Sequence, residues 1–427
     1  MNKIQTLTKN AGLKGKRVLL RVDWNMPLRE VPTEGDLLKI ERSVKTIKWL
    51  KKQGAVTIVI THLGRPKNRE SNLSTAQLLP YIEGYLEDSI MYCGEDLETE
   101  NGLIEIKQTI QATKNGSVLL LENVRFYKGE EINDRKLASI YASLADIYIN
   151  DAFASCHRKH VSVHAIAKLL PHYAGPELIN EISAASKLLV KPKKPFIALI
   201  GGAKLSTKLP VIHALLKKAD KILIGGAMAH SLLKAKHIEI GKSYLEEGII
   251  KIASQLVKNN KILLPQDFIV SKSLDSDSDL RRSELKDVKA NEIIGDIGPK
   301  TMKEWAKIIK SAQTILWNGP VGIAEITAFS HGSMVLGYAI ASRARGKAYG
   351  MVGGGDTIPL AIATGMDDWF DHISVAGGAL LEFIASNGKI PGITVLMEKQ
   401  PRVKTVSLKK KKLSRKNIKR NTLSIKK

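Results

Sequence analysis

Short apolar runs and longer amphipathic stretches alternate along the chain. The runs in the first half are RVLLRV (17–22), VTIVI (56–60), SVLLL (117–121) and DIYIN (146–150). Those in the second half are PFIALI (195–200), KILI (221–224), KILL (261–264), TILW (314–317) and AYGMV (348–352). Each is four to six residues long, and most lead into a cluster of Gly, Asn, Asp or His. Between them, residues 38–52, 133–145, 204–218, 244–258 and 299–310 carry helical periodicity. Apolar strands alternating with helices predict a parallel sheet covered on both faces. Nine such units exceed one comfortable sheet. The expectation is therefore an α/β protein with two doubly wound parallel-sheet domains.

Residues 171–194 offer a Pro/Gly break, a helical pattern and a Pro/Lys punctuation. The predicted organisation is a first domain over 1–171, a connecting helix and linker over 172–194, and a second domain from Pro195 to 388. A Lys-rich tail over 397–427 is low in apolar residues and is expected to be disordered.

Charge changes the picture less than its total suggests. The 427 residues include 66 Lys+Arg against 42 Asp+Glu, a net charge of +24. Such an excess points first to nucleic acid or an anionic surface. Yet the tail alone holds 13 Lys+Arg and one acid, so half of the excess sits there. A nucleic-acid or anionic-surface binder working through that tail remains one reading of the chain. The two cysteines, Cys93 and Cys156, exclude a disulfide scaffold and fit a reducing cytoplasm. MNKIQTLTKN lacks the apolar core of a secretory signal, and no apolar run approaches the ~18 residues of a membrane span, so no membrane partner is expected.

Open α/β sheets bind ligands at the carboxyl ends of their strands. In the first half those ends carry Asp23 and Asn25, His62 and Arg65, Arg125, and His157 and Arg158. Arginine forks match phosphate and carboxylate oxygens, so the set suits a small, hydroxylated polyanion. Any one of these arginines alone reads better as a solvated loop charge; it is the set at successive strand ends that points to a pocket. In the second half the ends are glycine-rich: GGAKLSTK with Gly202, Lys204 and Lys208, GGAM with Gly226, NGPVG with Asn318 and Pro320, and GGGDT. Glycines let backbone N–H groups approach a phosphate at a helix N-terminus. Asp356 and Thr357 follow Gly353, Gly354 and Gly355, where the carboxylate could hold Mg²⁺ beside phosphates. There is no GxxxxGK[ST] match and no GxGxxG after a strand. The residues thus predict a two-domain, Mg-dependent phosphotransferase that joins a small anion to a nucleotide by hinge closure.

RVDWNMPL, THLGRP, LLENVRF, INDAFASCHR, IGGAKLSTK, IGGAM, DIGPKT, WNGPVG, GGGDT and IPGI, in this order from Arg17 to Ile393, resemble phosphoglycerate kinase. The resemblance implies two Rossmann-like domains with a deep cleft, a monomer, and a segment at 389–396 returning to the first domain. It implies reversible phosphoryl transfer from 1,3-bisphosphoglycerate to ADP with Mg²⁺, giving 3-phosphoglycerate and ATP. Asp23, Asn25, His62, Arg65, Arg125, His157 and Arg158 would form the glycerate site. Lys39, Lys204 and Gly378 would serve the transferring phosphoryl group. Gly202, Lys208, Gly226, Ala227, Asn318, Pro320, Glu325, Gly353, Gly354, Gly355, Asp356 and Thr357 would hold the nucleotide, with Glu325 at the ribose and Asp356 at the metal.

Four features depart from the family pattern. Lys39 stands where the family has an arginine expected to reach the transferring phosphoryl, and Arg42, one turn on, is expected to compensate in part. ISVAGGALLE is a shortened form of the loop before the last large helix, with Ala376 in a glycine place. Ala227 replaces a glycine of the base slot, and Ala324 an aromatic residue beside Glu325. The expectation is a functional but slowed kinase, the alternative a kinase-like protein that binds ligands and transfers little.

Overall fold

The computed structural model describes residues 4–7, 12–28, 32–274 and 279–401. The first half forms a six-stranded parallel sheet from β1 (Arg17–Arg21), β2 (Val56–Ile60), β3 (Met91–Cys93), β4 (Val118–Leu121), β5 (Ile147–Asn150) and β6 (His172–Ala174), in the order β3-β4-β2-β1-β5-β6. Helices α1 (Glu34–Lys52), α2 (Leu79–Leu86), α3 (Glu100–Ala112) and α4 (Arg135–Ala142) cover it. Strand β1 is central and pairs with β2 and β5, so Arg21 lies level with Ile60 and Asn150. The loops after these three strands therefore open side by side.

Helix α5 (Pro176–Leu189) connects the halves, started by Pro176 behind Gly175. It follows β6, so residues 172–174 extend the first sheet instead of beginning the linker. The second sheet, also six-stranded and parallel, contains β7 (Phe196–Ile200), β8 (Lys221–Ile224) and β9 (Ile262–Leu263). Three antiparallel strands come next, β10 (Asp267–Ser271), β11 (Arg281–Glu284) and β12 (Ile293–Ile297). They are followed by β13 (Thr314–Asn318), β14 (Tyr349–Gly353) and β15 (His372–Ser374), and the second sheet runs β15-β14-β13-β7-β8-β9. Its helices are α6 (Leu205–Leu216), α7 (Ala227–Lys234), α8 (Ile250–Leu256), α9 (Pro299–Ser311), α10 (His331–Ala344), α11 (Ile358–Ala363) and α12 (Gly377–Ala385).

All nine predicted strands are present. The helix expected over 244–258 is shorter, Ile250–Leu256, because Gly248 adopts φ +70° and breaks the pattern before it. The antiparallel sheet and the three-residue strands β3, β6 and β15 were not predicted; their mixed polar and apolar residues give no buried-strand signature.

Each six-stranded sheet has an apolar core on its two faces, and one of those cores is continuous across the hinge. There Phe153 of the first half meets Phe383 on α12 edge to face at 5.6 Å. The final helix α13 (Pro391–Thr394) lies back on the first half, where the Gly392 N–H donates to Cys156 O at 2.8 Å. A Cβ at Gly392 would stand 2.9 Å from Cys156 Sγ, so this approach needs glycine. The docking continues past 396. Gln400 accepts from His172 N at 2.8 Å and donates to His172 O at 2.7 Å, in the manner of an added strand residue. Within the segment expected to be disordered, the Gln400 side chain is thus tied to the backbone of His172 in β6. The rest of the basic tail, 402–427, lies outside the described residues. No helix among the described residues is long and apolar enough to cross a membrane.

Candidate functional site

The first half-site begins with a residue not singled out from sequence. Arg21, in the apolar β1, is only 2% exposed. Its guanidinium donates to Ser162 Oγ at 3.0 Å, Ser155 Oγ at 3.0 Å, His62 Nδ1 at 3.1 Å and the Val22 carbonyl. Ser162 in turn donates to the buried Glu130. Because Arg21 can only donate, Nδ1 of His62 accepts, and the neutral ring keeps its proton on Nε2. His62 is held well below its ordinary pKa by burial first, and by the Arg21, Arg125 and Lys39 charges against the pull of Asp23. It is therefore a neutral N–H donor.

Asp23 accepts from Ser155 Oγ at 3.0 Å, Asn25 N at 3.1 Å and Lys39 Nζ at 3.3 Å. Burial opposes its charge, but Lys39, His62, Arg21 and the Asn25 N–H together hold its carboxyl far below the usual range. Lys39 also donates to Asn25 O at 2.8 Å, and Asn25 Oδ1 accepts from Gly64 N at 2.8 Å. A reciprocal capping box between Thr33 and Asp36 starts α1 one turn before Lys39. Arg158 donates to His157 Nε2 at 3.1 Å, and burial followed by Arg158 pushes His157 down. Burial, then repulsion from Arg158, lowers Arg125 to about 10, still cationic at neutral pH.

In the second half, the loops after β7, β8 and β13 stack backbone on backbone. Gly201 N donates to Asn318 O, Gly202 N to Pro320 O and Gly226 N to Val321 O, at 2.8–3.0 Å. Gly226 has φ +67°, and a Cβ there would lie 2.8 Å from Gly202 N. Asn318 braces the loops, accepting from Lys208 Nζ and donating to the Gly353 carbonyl. Thr357 Oγ1 accepts from Gly319 N at 2.7 Å. Burial lowers Lys208 to about 8 against the pull of Asp356.

Three cavities meet in the cleft. One of about 550 Å³ is lined by Gly202, Gly226, Ala227, Pro320, Glu325 and Asp356, with the apolar Phe268 and Val321 as walls. A second, of about 320 Å³, is lined by Lys208, Asn318, Gly354, Gly355, Asp356, Thr357, Gly377 and Gly378. The third, about 520 Å³, has Asp23, Asn25, Lys39, His62, His157 and Arg158 on one side and Gly355, Asp356, Gly377 and Gly378 on the other. Asp356 lines all three. Gly377 and Gly378 open α12, so their N–H groups have no partner within the helix.

The fold does not bring every predicted residue to these walls. Arg65 is exposed and lines none of the three cavities, and Lys204 is exposed at the start of α6 outside them. Arg125 lies behind the third cavity, its guanidinium on the Gly64 carbonyl, and Gly353 is buried beneath the second. Arg42, expected to compensate in part for Lys39, lines none of the three cavities; it donates to Ile373 O at 2.8 Å and lies 3.4 Å from Glu177 on the connecting helix. Sequence reading missed Ser155, Gly377 and above all Arg21; a cation inside an apolar strand is itself a signal, because it must be paired to be buried.

The chain has relatives of known name over most of its length. The family model described as phosphoglycerate kinase matches residues 8–387. The phosphoglycerate kinase of Dictyoglomus turgidum is 40% identical over 92% of this chain and 98% of its own length. That of a Thermus thermophilus strain is 39% identical over 90% of this chain and 97% of its own. The solved phosphoglycerate kinase of Coxiella burnetii superimposes with a TM-score of 0.78 at 36% identity, covering 92% of this chain and 99% of that one. With sequence and fold in agreement over about nine-tenths of its length, the chain belongs to the phosphoglycerate kinase family.

Proposed function

We propose that the two half-sites carry out the family's reaction, the Mg-dependent exchange of a phosphoryl group between the acyl position of 1,3-bisphosphoglycerate and ADP. The observation that carries this reading is that Asp356 and the first turn of α12 border both the anion pocket and the phosphate cradle. A phosphoryl group between them touches both halves at once. Asp23, Asn25, His62, His157 and Arg158 hold the glycerate end. The Gly377 and Gly378 N–H groups and Lys39 face the group in flight. Lys208, the glycine loops and Glu325 hold the nucleotide. The attacking oxygen is already ionised and the leaving oxygen departs as a carboxylate or phosphate that needs no proton, so no general base or acid is needed; catalysis is positioning and charge neutralisation.

Magnesium, when bound, supplies charge neutralisation at the nucleotide phosphates. The residues fit it. Asp356 is exposed, free of hydrogen bonds and ion pairs among the described residues, and sits beside the phosphate cradle. Mg²⁺ commonly takes one or two carboxylates and completes its shell with phosphates and water. Both half-sites come from one chain, which supports action as a monomer, and membership of a glycolytic enzyme family supports a cytoplasmic place.

Two predictions arise here. Lys208 loses its proton as pH rises through about 8, and the cationic form is the one that holds phosphate. MgADP affinity, measured calorimetrically, is expected to weaken about tenfold between pH 7 and 9. In Lys208→Arg the guanidinium stays charged and the decline is expected to flatten. A flat profile for the parent chain contradicts this role.

Lys39 spends its ammonium on Asp23 and Asn25 O. An arginine can keep both contacts and still present a further N–H to the phosphoryl group. Lys39→Arg is expected to raise kcat several-fold, and an unchanged or lower kcat counts against Lys39 as the slow element.

A further inference from the structure

Helix α1 is one of the first-half elements that touch the second half. Gly35 packs under Ile358 of α11, where a Cβ would lie 3.3 Å from Ile358 Cγ2. Lys39 follows four residues on, and Arg42 three beyond that, so Gly35, Lys39 and Arg42 share one helix face. That face meets the second half at both ends, with Lys39 between the two contacts.

The Arg42 end is chemically specific. Nη1 donates to Ile373 O in β15 at 2.8 Å and lies 3.4 Å from Glu177 and 4.0 Å from Glu181 on the connecting helix. Glu181 is 1% exposed. It accepts from Ser374 Oγ at 2.7 Å and Val375 N at 3.2 Å, and it lies 3.1 Å from His372 Nε2. Ser374 and Val375 lead directly into Gly377 and Gly378. One guanidinium thus joins the Lys39 helix, the connecting helix and the root of the phosphate-facing turn.

We propose that Arg42 is a positioning residue for transfer: it fastens the Lys39 face of α1 to the Glu177–Glu181 face of the hinge and to β15, and so sets the separation between Lys39 and the Gly377–Gly378 turn. The role rests on the proposed reaction. The nucleotide cavities are built from second-half residues alone, so the fastening acts on transfer and not on nucleotide binding.

The test compares the parent, Arg42→Met and Arg42→Lys. Three quantities are measured: kcat with 3-phosphoglycerate and MgATP, the MgADP dissociation constant, and the fall in radius of gyration on adding 3-phosphoglycerate with MgADP. Arg42→Met is expected to lose tenfold or more in kcat and part of the contraction, with the MgADP constant within twofold of the parent. Arg42→Lys, which keeps the charge, is expected to recover part of both. Should Arg42→Met not fold, Arg42→Lys decides alone, with a threefold or greater kcat loss at unchanged MgADP affinity expected. A kcat within twofold of the parent in either deciding variant overturns the role. So does a joint loss of kcat and MgADP affinity that Arg42→Lys does not relieve. A parent without turnover contradicts the reaction and the role together, whereas an active parent beside an unaffected variant contradicts the role alone.

Discussion

Asp356→Asn is expected to lower phosphoryl transfer by about 10²–10³-fold while leaving the fold intact. The side chain lies where all three cavities meet. It follows Gly354 at φ +120° and Gly355, a turn that lifts it off the end of β14 into the cleft. The amide matches the carboxylate in shape and removes one negative charge. One misplaced electrostatic contact to the reacting group is worth about 3–4 kcal/mol of barrier. Because Asp356 is exposed and bonds to nothing among the described residues, the melting temperature is expected to move by no more than about 2 °C. The Mg²⁺ concentration giving half-maximal rate is expected to rise, while the KM for 3-phosphoglycerate stays near the parent value. Full turnover at ordinary Mg²⁺ in Asp356→Asn removes the residue from the mechanism.

Arg21→Met carries the largest expected stability effect. Arg21 joins Ser155, Ser162 and His62, and its field helps the buried Glu130 to ionise. Methionine fills much of the volume but leaves those acceptors, and Glu130, without the cation. Removing one partner from a buried charge network costs about 3–5 kcal/mol. At about 2–4 °C per kcal/mol, the first domain is expected to melt on the order of 10 °C lower. The loss has a pH sign. Burial already raises the Glu130 carboxyl above its ordinary value, and Arg21 opposes that rise. Without Arg21 the folded-state value climbs further. Stability is then retained while the acid stays protonated and is lost as pH rises through that value, so the deficit is larger at pH 8 than at pH 5. Thermal melts at the two pH values check this; equal melting of parent and variant contradicts it. Because Ser155 and His62 support the Asp23 side of the pocket, the KM for 3-phosphoglycerate is expected to rise as well.

The parallel sheets were legible because their central strands are buried on both faces and so read as continuous apolar runs, as in VTIVI and FIALI. Edge strands such as Met91–Cys93 are not, and neither is the Arg281–Glu284 strand, whose residues are mostly charged. The site was legible wherever a residue type has a chemical meaning at a strand end, as with Asp23, His62, Lys208 and Asp356. It was illegible where meaning depends on direction. Arg42 sits one helical turn from Lys39, and only the fold shows it turned into the hinge. Arg65 has the same chemistry as Arg158, yet Arg65 is exposed and Arg158 lines the pocket. Arg21 was hidden by its apolar neighbours.

The central claim is that the anion pocket and the nucleotide cradle act on one phosphoryl group. The most direct measurement is a coupled assay of the purified chain with 3-phosphoglycerate and MgATP, alongside MgADP binding on the same sample. The account predicts turnover that requires both substrates and Mg²⁺ and is abolished by chelation. Normal MgADP binding with no detectable turnover contradicts it.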